Sequence, residues 1–136
     1  MAKFNLALSK VLSHEGGYVN DPDDLGGETY KGIARNSHGS WAGWQIIDSY
    51  KIKPDFPKSL EANAKLQNMV EQFYFELFWQ PLKADQIQNQ TSADSVFDFA
   101  VNSGLTNSTR LVQSIVGTKI DGIIGEITLN KINSMD

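Results

Sequence analysis

Apolar positions near the start of the chain have the spacing of an amphipathic helix. They recur every three or four residues, which places them on one helical face: Phe4, Ala7, Leu8, Val11 and Leu12. This pattern predicts a helix over residues 3–15. Gly16 and Gly17 follow it, and glycine readily adopts the left-handed conformation in which helices end.

The rest of the chain alternates helical patterns with loops. Residues 18–32 are rich in Asn, Asp, Pro and Gly, which predicts turns and a short hairpin. The later apolar patterns predict five more helices: a short one marked by Trp41, Trp44 and Asp48; a long one over 59–78 with a stripe of Leu66, Met69, Val70, Phe73 and Leu77; one over 93–103; one over 107–116 presenting Leu111, Val112 and Ile115; and a last one around Leu129 and Ile132. We therefore expect a mainly helical α+β domain.

Composition narrows the class of protein. The chain has 136 residues, 40% of them apolar and 21% charged, as in ordinary globular domains that bury a core of their own. It has no cysteine, which excludes disulfides, thiolate metal sites and cysteine nucleophiles. Its net charge of −4 argues against nucleic acid as a partner.

The sequence also bears on where in the cell the protein is made. No apolar run is long enough for a signal-peptide core or a membrane span. We therefore expect a protein made in the cytoplasm without a signal peptide, with no stable membrane association.

Glu15 is the first candidate for a catalytic residue. It lies four positions after Val11 and three after Leu12, so it continues the apolar stripe of the first helix. A carboxyl held against apolar side chains has a raised pKa, as a general acid requires near neutral pH. The alternative is a glutamate at the helix end that points into water.

The segment that follows Glu15 strengthens the catalytic interpretation. It is dense in glycines and carboxylates, and it contains Tyr18 and Tyr30, whose flat rings and hydroxyls suit sugar rings. An acid at a helix end followed by a turn bearing carboxylates supplies both groups that glycoside hydrolysis requires.

Several motifs resemble glycoside hydrolase family 108, which comprises phage and bacterial N-acetylmuramidases, some labelled secretion activator proteins. The resemblance is carried by HEGGYVNDPDDLGGETYKGI at 14–33, Phe78-Trp79, FDFAVNSG at 97–104 and DGIIGEIT at 121–128. The last two segments resemble the peptidoglycan-binding region at the C-terminus of these proteins. The resemblance implies one compact lysozyme-like domain over 1–136, with a hydrolase part over 1–90 and a peptidoglycan-binding-like part over 91–136.

The resemblance also implies a function and a catalytic residue. It implies cleavage of peptidoglycan glycan strands and places the family's catalytic glutamate on Glu15. Phage-type lysozymes carry an aspartate nine residues past the glutamate, which favours Asp24, and a threonine beyond it, which suggests that Thr29 positions a water. Asp21 and Asp23 are alternatively turn formers around Pro22.

No cofactor is expected. The acidic loop fails the spacing of a calcium-binding loop, because Leu25 and Gly32 occupy ligand positions. The two histidines, His14 and His38, are far apart in the sequence and give little support to a metal site or a catalytic triad.

Three further positions are candidates for saccharide binding. Asp98 and Asn102 lie on a helix that we expect to be buried nearly all round, so they either line the cleft or form a structural network. Trp79 is the tryptophan expected at the edge of the cleft.

The turn at 121–128 combines an aspartate with two glycines, which together make a compact turn. We expect the turn to be structural, with Ile123 and Ile127 in the core. The resemblance implies an N-acetylmuramidase of endolysin type that acts at the cell wall after release or export, and we expect a monomer. A phage or prophage lysis role and a role in a secretion system both stay open. The alternative is a non-catalytic module with the same fold that binds the wall or assists secretion.

Overall fold

The chain is described by a computed structural model over residues 1–14, 17–21, 23 and 27–135. The α-helices are α1 (Phe4–His14), α2 (Gly43–Tyr50), α3 (Ala64–Tyr74), α4 (Gln90–Ser103), α5 (Leu105–Val116) and α6 (Glu126–Ser134). The strands are β1 (Tyr18–Asn20), β2 (Glu28–Tyr30) and β3 (Ile33–Ala34). The mainly helical, lysozyme-like fold predicted from the sequence is confirmed.

The chain divides into two compact units. The terminal unit comprises Met1–Val11 and Tyr74–Asp136, and the central unit comprises Leu12–Phe73. The terminal unit thus joins the first helical turns of the chain to its second half.

An aromatic cluster lies in the core of the terminal unit. The Phe4 ring lies 5.5 Å from Trp79 and 5.9 Å from Phe97, and the last two rings are 5.5 Å apart. Tilted and edge-on ring pairs at these distances are favourable beyond the area that they bury. Ala7 and Leu8 of α1 are also buried, which confirms the predicted apolar face of this helix.

Helix α5 faces the core with a different side from the one predicted. Its buried residues are Ser108, Thr109 and Gln113, whereas Leu111 and Ile115 of the predicted apolar stripe are exposed. The reason is a set of specific hydrogen bonds: the Ser108 hydroxyl donates to the Val96 carbonyl at 2.9 Å, and Gln113 bonds to the turn before α6. The predicted orientation of α5 was wrong.

The turn at 121–128 is held by that buried glutamine. Gln113 Nε2 donates to Asp121 Oδ1 and to the Ile123 carbonyl, both at 2.9 Å, and Gln113 Oε1 accepts from the Gly122 N–H at 3.0 Å. This supports the structural role expected of the motif. The expectation that Ile123 and Ile127 enter the core was wrong, because both are at least 70% exposed; the core is filled instead by Ile124, Leu129 and Ile132.

The sequence predicts one long helix over 59–78, but the structure has three consecutive helical elements there. A 3-10 helix at Lys58–Ala62 ends at Asn63, whose backbone is extended, and α3 begins after it. Asn63 Oδ1 accepts from the Leu66 N–H at 2.9 Å, as a helix N-cap does. A π-helical turn at Phe75–Trp79 follows α3.

The predicted hairpin is a three-stranded antiparallel sheet in the central unit. Tyr18 pairs with Tyr30 and Asn20 pairs with Glu28, while β3 pairs with the other edge of β2. The β2–β3 turn has positive φ at both central residues, Lys31 (φ 46°) and Gly32 (φ 84°), which is the backbone that suits a two-residue hairpin.

Candidate active site

The two predicted catalytic carboxylates, Glu15 and Asp24, lie outside the described residues. Thr29, the third predicted catalytic residue, is half-buried at the centre of β2. It pairs with Val19 on one side and with Ala34 on the other. Its backbone is therefore fixed by neighbouring strands on both sides.

The sheet separates residues that the sequence placed in one site. Successive side chains of a strand point to opposite faces, and directly paired residues share a face. Tyr18, Glu28 and Tyr30 therefore lie on one face of the sheet, and Thr29 lies on the other together with Val19. The two tyrosines cannot line the same surface of the sheet as Thr29.

Both tyrosines are committed to contacts within the central unit. Tyr30 is 1% exposed, and its hydroxyl accepts from Gln67 Nε2 at 2.9 Å. Burial raises the pKa of Tyr30. The ring of Tyr18 packs edge-on against Phe56 at 4.8 Å, and its hydroxyl donates to Glu28. Tyr30 presents no free ring face for a sugar, whereas Tyr18 is half-buried.

A charged cluster, here called the Glu28 cluster, lies on the tyrosine face of the sheet and comprises Tyr18, Glu28, Arg35, Asp48 and Lys51. Glu28 Oε2 accepts from the Tyr18 hydroxyl and from Lys51 Nζ, both at 2.6 Å, and Glu28 Oε1 accepts from Arg35 Nη1 at 3.0 Å. Arg35 also binds Asp48 through two parallel bonds of 2.7 and 2.8 Å. A bidentate guanidinium–carboxylate pair fixes geometry as well as charge.

The electrostatics of the Glu28 cluster keep its two carboxyl groups, Glu28 and Asp48, ionised. Burial alone would raise the pKa of Glu28, but the hydrogen bonds from Lys51, Tyr18 and Arg35 outweigh it and the pKa is lowered. The hydrogen bonds from Arg35 and Lys51 hold the pKa of Asp48 well below its usual range. Burial and the neighbouring Glu28 raise the pKa of Tyr18, so this hydroxyl stays a donor. A carboxylate held ionised in this way is suited to positioning and not to donating a proton.

Lys31 connects the sheet to the helices of the central unit and to the start of β1. Its side chain donates to Gln67 Oε1 at 2.5 Å and to Glu61 Oε2 at 3.1 Å. Its backbone N–H donates to the Gly17 carbonyl at 3.1 Å. Gly17 follows Glu15 by two positions, so this bond anchors the chain close to the predicted acid.

Trp79 and the polar pair of α4 lie in the terminal unit. Trp79 is 1% exposed within the aromatic cluster and has no surface for a sugar in this structure. Asp98 and Asn102 are exposed, and Asn102 Nδ2 donates to the Asp98 carbonyl at 2.9 Å. The prediction of a helix buried nearly all round was wrong. The buried carboxylate of α4 is Asp94, which accepts from Lys10 Nζ at 2.7 Å and from Gln90 at 2.8 Å.

The part of the chain that the structure describes shows neither a metal cluster nor a membrane span. No group of three or more His, Cys, Asp or Glu side chains there is arranged to hold a metal ion. None of its helices combines the length and apolar character needed to cross a bilayer.

Sequence reasoning missed the Glu28 cluster. The sequence assigns Tyr18 to sugar binding and places Glu28 in a segment rich in turns, and Arg35 and Asp48 belong to no functional motif. The alternation Glu28-Thr29-Tyr30 is the available signal, because it assigns the two outer residues to one face of a strand. Asp48 of α2 and Lys51, which follows that helix, join the cluster through tertiary contacts with the sheet, and no local pattern in the sequence predicts these contacts.

A helical fold with a small sheet directly after the first helix is that of the lysozyme-like glycosidases. The chain belongs to the glycosyl hydrolase 108 family, whose model matches residues 8–104. It is similar to a solved structure described as Brucella abortus SagA, with 29% identity and a TM-score of 0.66, over 98% of this chain and 70% of that one. No curated protein matches the chain.

Proposed function

We propose that the chain is an N-acetylmuramidase that cleaves the glycan strands of peptidoglycan. The observation that carries this proposal is the family match over residues 8–104, because that range contains every position assigned to catalysis. Membership of a glycosyl hydrolase family supports the reaction class, and the choice of peptidoglycan rests on the motif at 14–33.

The proposed reaction needs a general acid for the leaving sugar and a water molecule that attacks the anomeric carbon. Glu15 protonates the glycosidic oxygen of the leaving sugar. Asp24 stabilises the oxocarbenium-like transition state or, together with Thr29, orients the attacking water. No cofactor takes part in this scheme.

The geometry of β2 supports the role of Thr29. Its two neighbours are pinned on the opposite face of the sheet, Glu28 by three hydrogen bonds and Tyr30 by Gln67. A side chain that positions a water must keep its place during the reaction, and a strand fixed on both edges provides this. Asp98 and Asn102 remain proposed saccharide contacts, since both are exposed. Tyr18 lies on the face of the sheet opposite to Thr29, so no contact with the same sugar is proposed for it.

The experiment is a product analysis on purified peptidoglycan. The digest is reduced with borohydride and analysed by mass spectrometry, with Glu15→Gln as the matched inactive control. We expect reduced muramic acid ends. Reduced glucosamine ends would show a glucosaminidase, and anhydro-muramic ends would show a lytic transglycosylase.

A digest that yields no soluble fragments would contradict the proposal. In that case a sedimentation assay with the same peptidoglycan separates a wall-binding module from a protein with no affinity for the wall. Sedimentation with the wall would favour the wall-binding alternative, and a protein that stays in solution would favour the secretion-assisting one.

A further inference from the structure

The turn between β2 and β3 contains a residue that its backbone does not favour. Its two central residues, Lys31 and Gly32, have positive φ angles of 46° and 84°. Turns of this kind readily take Asn-Gly or Gly-Gly, whereas a lysine adopts the left-handed backbone only at a cost in energy. The turn by itself therefore does not explain why position 31 is a lysine.

The side chain of Lys31 is fixed among polar groups of the central unit. It is 17% exposed, and its ammonium group donates to Gln67 Oε1 at 2.5 Å and to Glu61 Oε2 at 3.1 Å. Gln67 is held in turn, because its Nε2 donates to the Tyr30 hydroxyl at 2.9 Å and to the Leu60 carbonyl at 3.0 Å. The lysine side chain thus ties the β2–β3 turn to α3 and to the 3-10 helix before it.

The backbone of Lys31 is bonded to the segment that precedes β1. Its N–H donates to the Gly17 carbonyl at 3.1 Å. Helix α1 ends at His14, so Glu15 and Gly16 are the only residues between the end of this helix and Gly17. Glycine allows many backbone conformations, so a catalytic side chain next to glycines needs a fixed point on either side to keep its place. The bond from Lys31 supplies the fixed point on the C-terminal side of Glu15.

We propose that Lys31 is a positioning residue for the proposed general acid. Its ammonium group holds the turn against α3, the turn presents its N–H to the Gly17 carbonyl, and the fixed Gly17 restricts Glu15 to its working position. Catalytic groups must be held within about 0.5 Å of their productive geometry, and a misplacement of about 1 Å can cost about 100-fold in rate. The inference rests on the proposed role of Glu15 and adds to it a residue that touches neither the sugar nor the reacting atoms.

The test compares variants that separate the ammonium group from the backbone. Lys31→Met keeps most of the side-chain length and the demand on the backbone, but it removes the bonds to Gln67 and Glu61. Lys31→Asn removes the same bonds and suits the left-handed backbone, so it relieves the strain of the turn.

Lys83 offers matched controls for both variants. It has the same left-handed backbone, with a φ of 52°, but its side chain is exposed and it belongs to the terminal unit. Lys83→Met and Lys83→Asn therefore make the same two changes at a residue outside the motif at 14–33.

Steady-state kinetics on soluble, peptide-free peptidoglycan glycan strands give the first readout, with released reducing ends as the signal. We expect kcat to fall at least about tenfold in Lys31→Met and Lys31→Asn, with KM within about twofold of the parent, because the acid is displaced while the sugar contacts stay. Lys31→Arg keeps a cationic donor and should recover most of kcat. Both Lys83 variants should match the parent. All rates are measured well below the lowest melting temperature of the set, so that a loss of stability alone does not lower kcat.

Amide hydrogen exchange at position 31 gives a second readout that does not depend on turnover. After correction for intrinsic rates, exchange in Lys31→Met should be at least about tenfold faster than in the parent, because the turn no longer holds its N–H against the Gly17 carbonyl. Exchange at position 83 in Lys83→Met serves as the control.

Three results would overturn the inference: kcat within about threefold of the parent in both Lys31→Met and Lys31→Asn, an equal loss of kcat in Lys83→Asn and Lys31→Asn, or unchanged exchange at position 31. A folded parent that releases no reducing ends would overturn the proposed function and this inference with it. A parent that turns over no faster than its Lys31 variants would overturn the inference alone.

Discussion

The Tyr18 hydroxyl donates a 2.6 Å hydrogen bond to Glu28 Oε2, diagonally across the first two strands of the sheet. Tyr18 is paired with Tyr30 in the ladder, so this bond adds a second link between the same strands. Glu28 in turn accepts from Arg35 and Lys51. Thr29 follows Glu28 directly, and its position therefore depends on the cluster on the opposite face.

Replacing Glu28 should loosen the sheet. Glu28→Gln leaves Lys51 and Arg35 without the carboxylate that they share, in a site where the glutamate side chain is only 12% exposed. We expect a loss of roughly 1–3 kcal/mol in the free energy of unfolding, measured by urea denaturation. Glu61→Gln, at a side chain that is 59% exposed, is the control and should change it little. An unchanged Glu28→Gln midpoint would contradict this role.

The Glu28 cluster should also make stability depend on acid pH. The pKa values of Glu28 and Asp48 are lowered in the folded chain, so the unfolded chain binds more protons as the pH falls. The stabilisation is present above about pH 4, the ordinary range of these carboxyls, and is lost as the pH falls through the folded pKa values. The free energy of unfolding of the parent should therefore fall more steeply below about pH 4 than that of the double variant Glu28→Gln/Asp48→Asn. Parallel curves would refute the assignment.

Gln113 should be essential to the turn before α6. It is 1% exposed, and its amide group holds Asp121, Gly122 and Ile123. Gln113→Ala leaves these groups without their partner, and we expect a loss of roughly 2–4 kcal/mol in the free energy of unfolding. Ser114→Ala, at the exposed neighbouring position, should cost little. A loss below about 1 kcal/mol for Gln113→Ala would show that water replaces the glutamine.

Glu15→Gln should abolish wall cleavage and leave the fold intact, because it removes the acidic proton while nearly preserving shape. General acid catalysis contributes typically about 10²–10⁴-fold, so we expect a loss of at least about 100-fold in the rate of peptidoglycan clearing. The melting temperature serves as the control for folding. Activity within about tenfold of the parent would exclude Glu15 as the general acid.

Cleavage should proceed with inversion at the anomeric carbon. In the sequence-based prediction, Glu15 ends the first helix and Asp24 belongs to the turn-rich segment after Gly16 and Gly17, and nothing in the sequence between them predicts a return to nucleophile distance. Inverting enzymes separate their carboxyls by about 6.5–9.5 Å to admit a water, against about 5–5.5 Å in retaining enzymes. Proton NMR of early products from a β-linked strand should show the α-anomer first. A β-anomer or a trapped glycosyl-enzyme adduct would mean retention.

The sequence by itself determined the helices with a consistent apolar period and the turns made by glycine and aspartate. In α1 the predicted face is the buried one: Ala7, Leu8 and Val11 are all at most 4% exposed. The hairpin after α1 was predicted because its Asn, Asp, Pro and Gly residues are a local signal for turns. The Asp121 turn was predicted for the same reason.

Only the tertiary structure decided which face of α5 is buried and which residues share a face of the sheet. Periodicity shows that α5 is a helix, but Gln113 finds hydrogen-bond partners in the turn before α6 and turns the helix so that Ile115 faces outward. Strand register likewise placed Thr29 on the face opposite to Tyr18 and Tyr30. Hydrogen bonds between residues distant in sequence set these orientations, because a buried polar group must be paired and an exposed apolar one need not be.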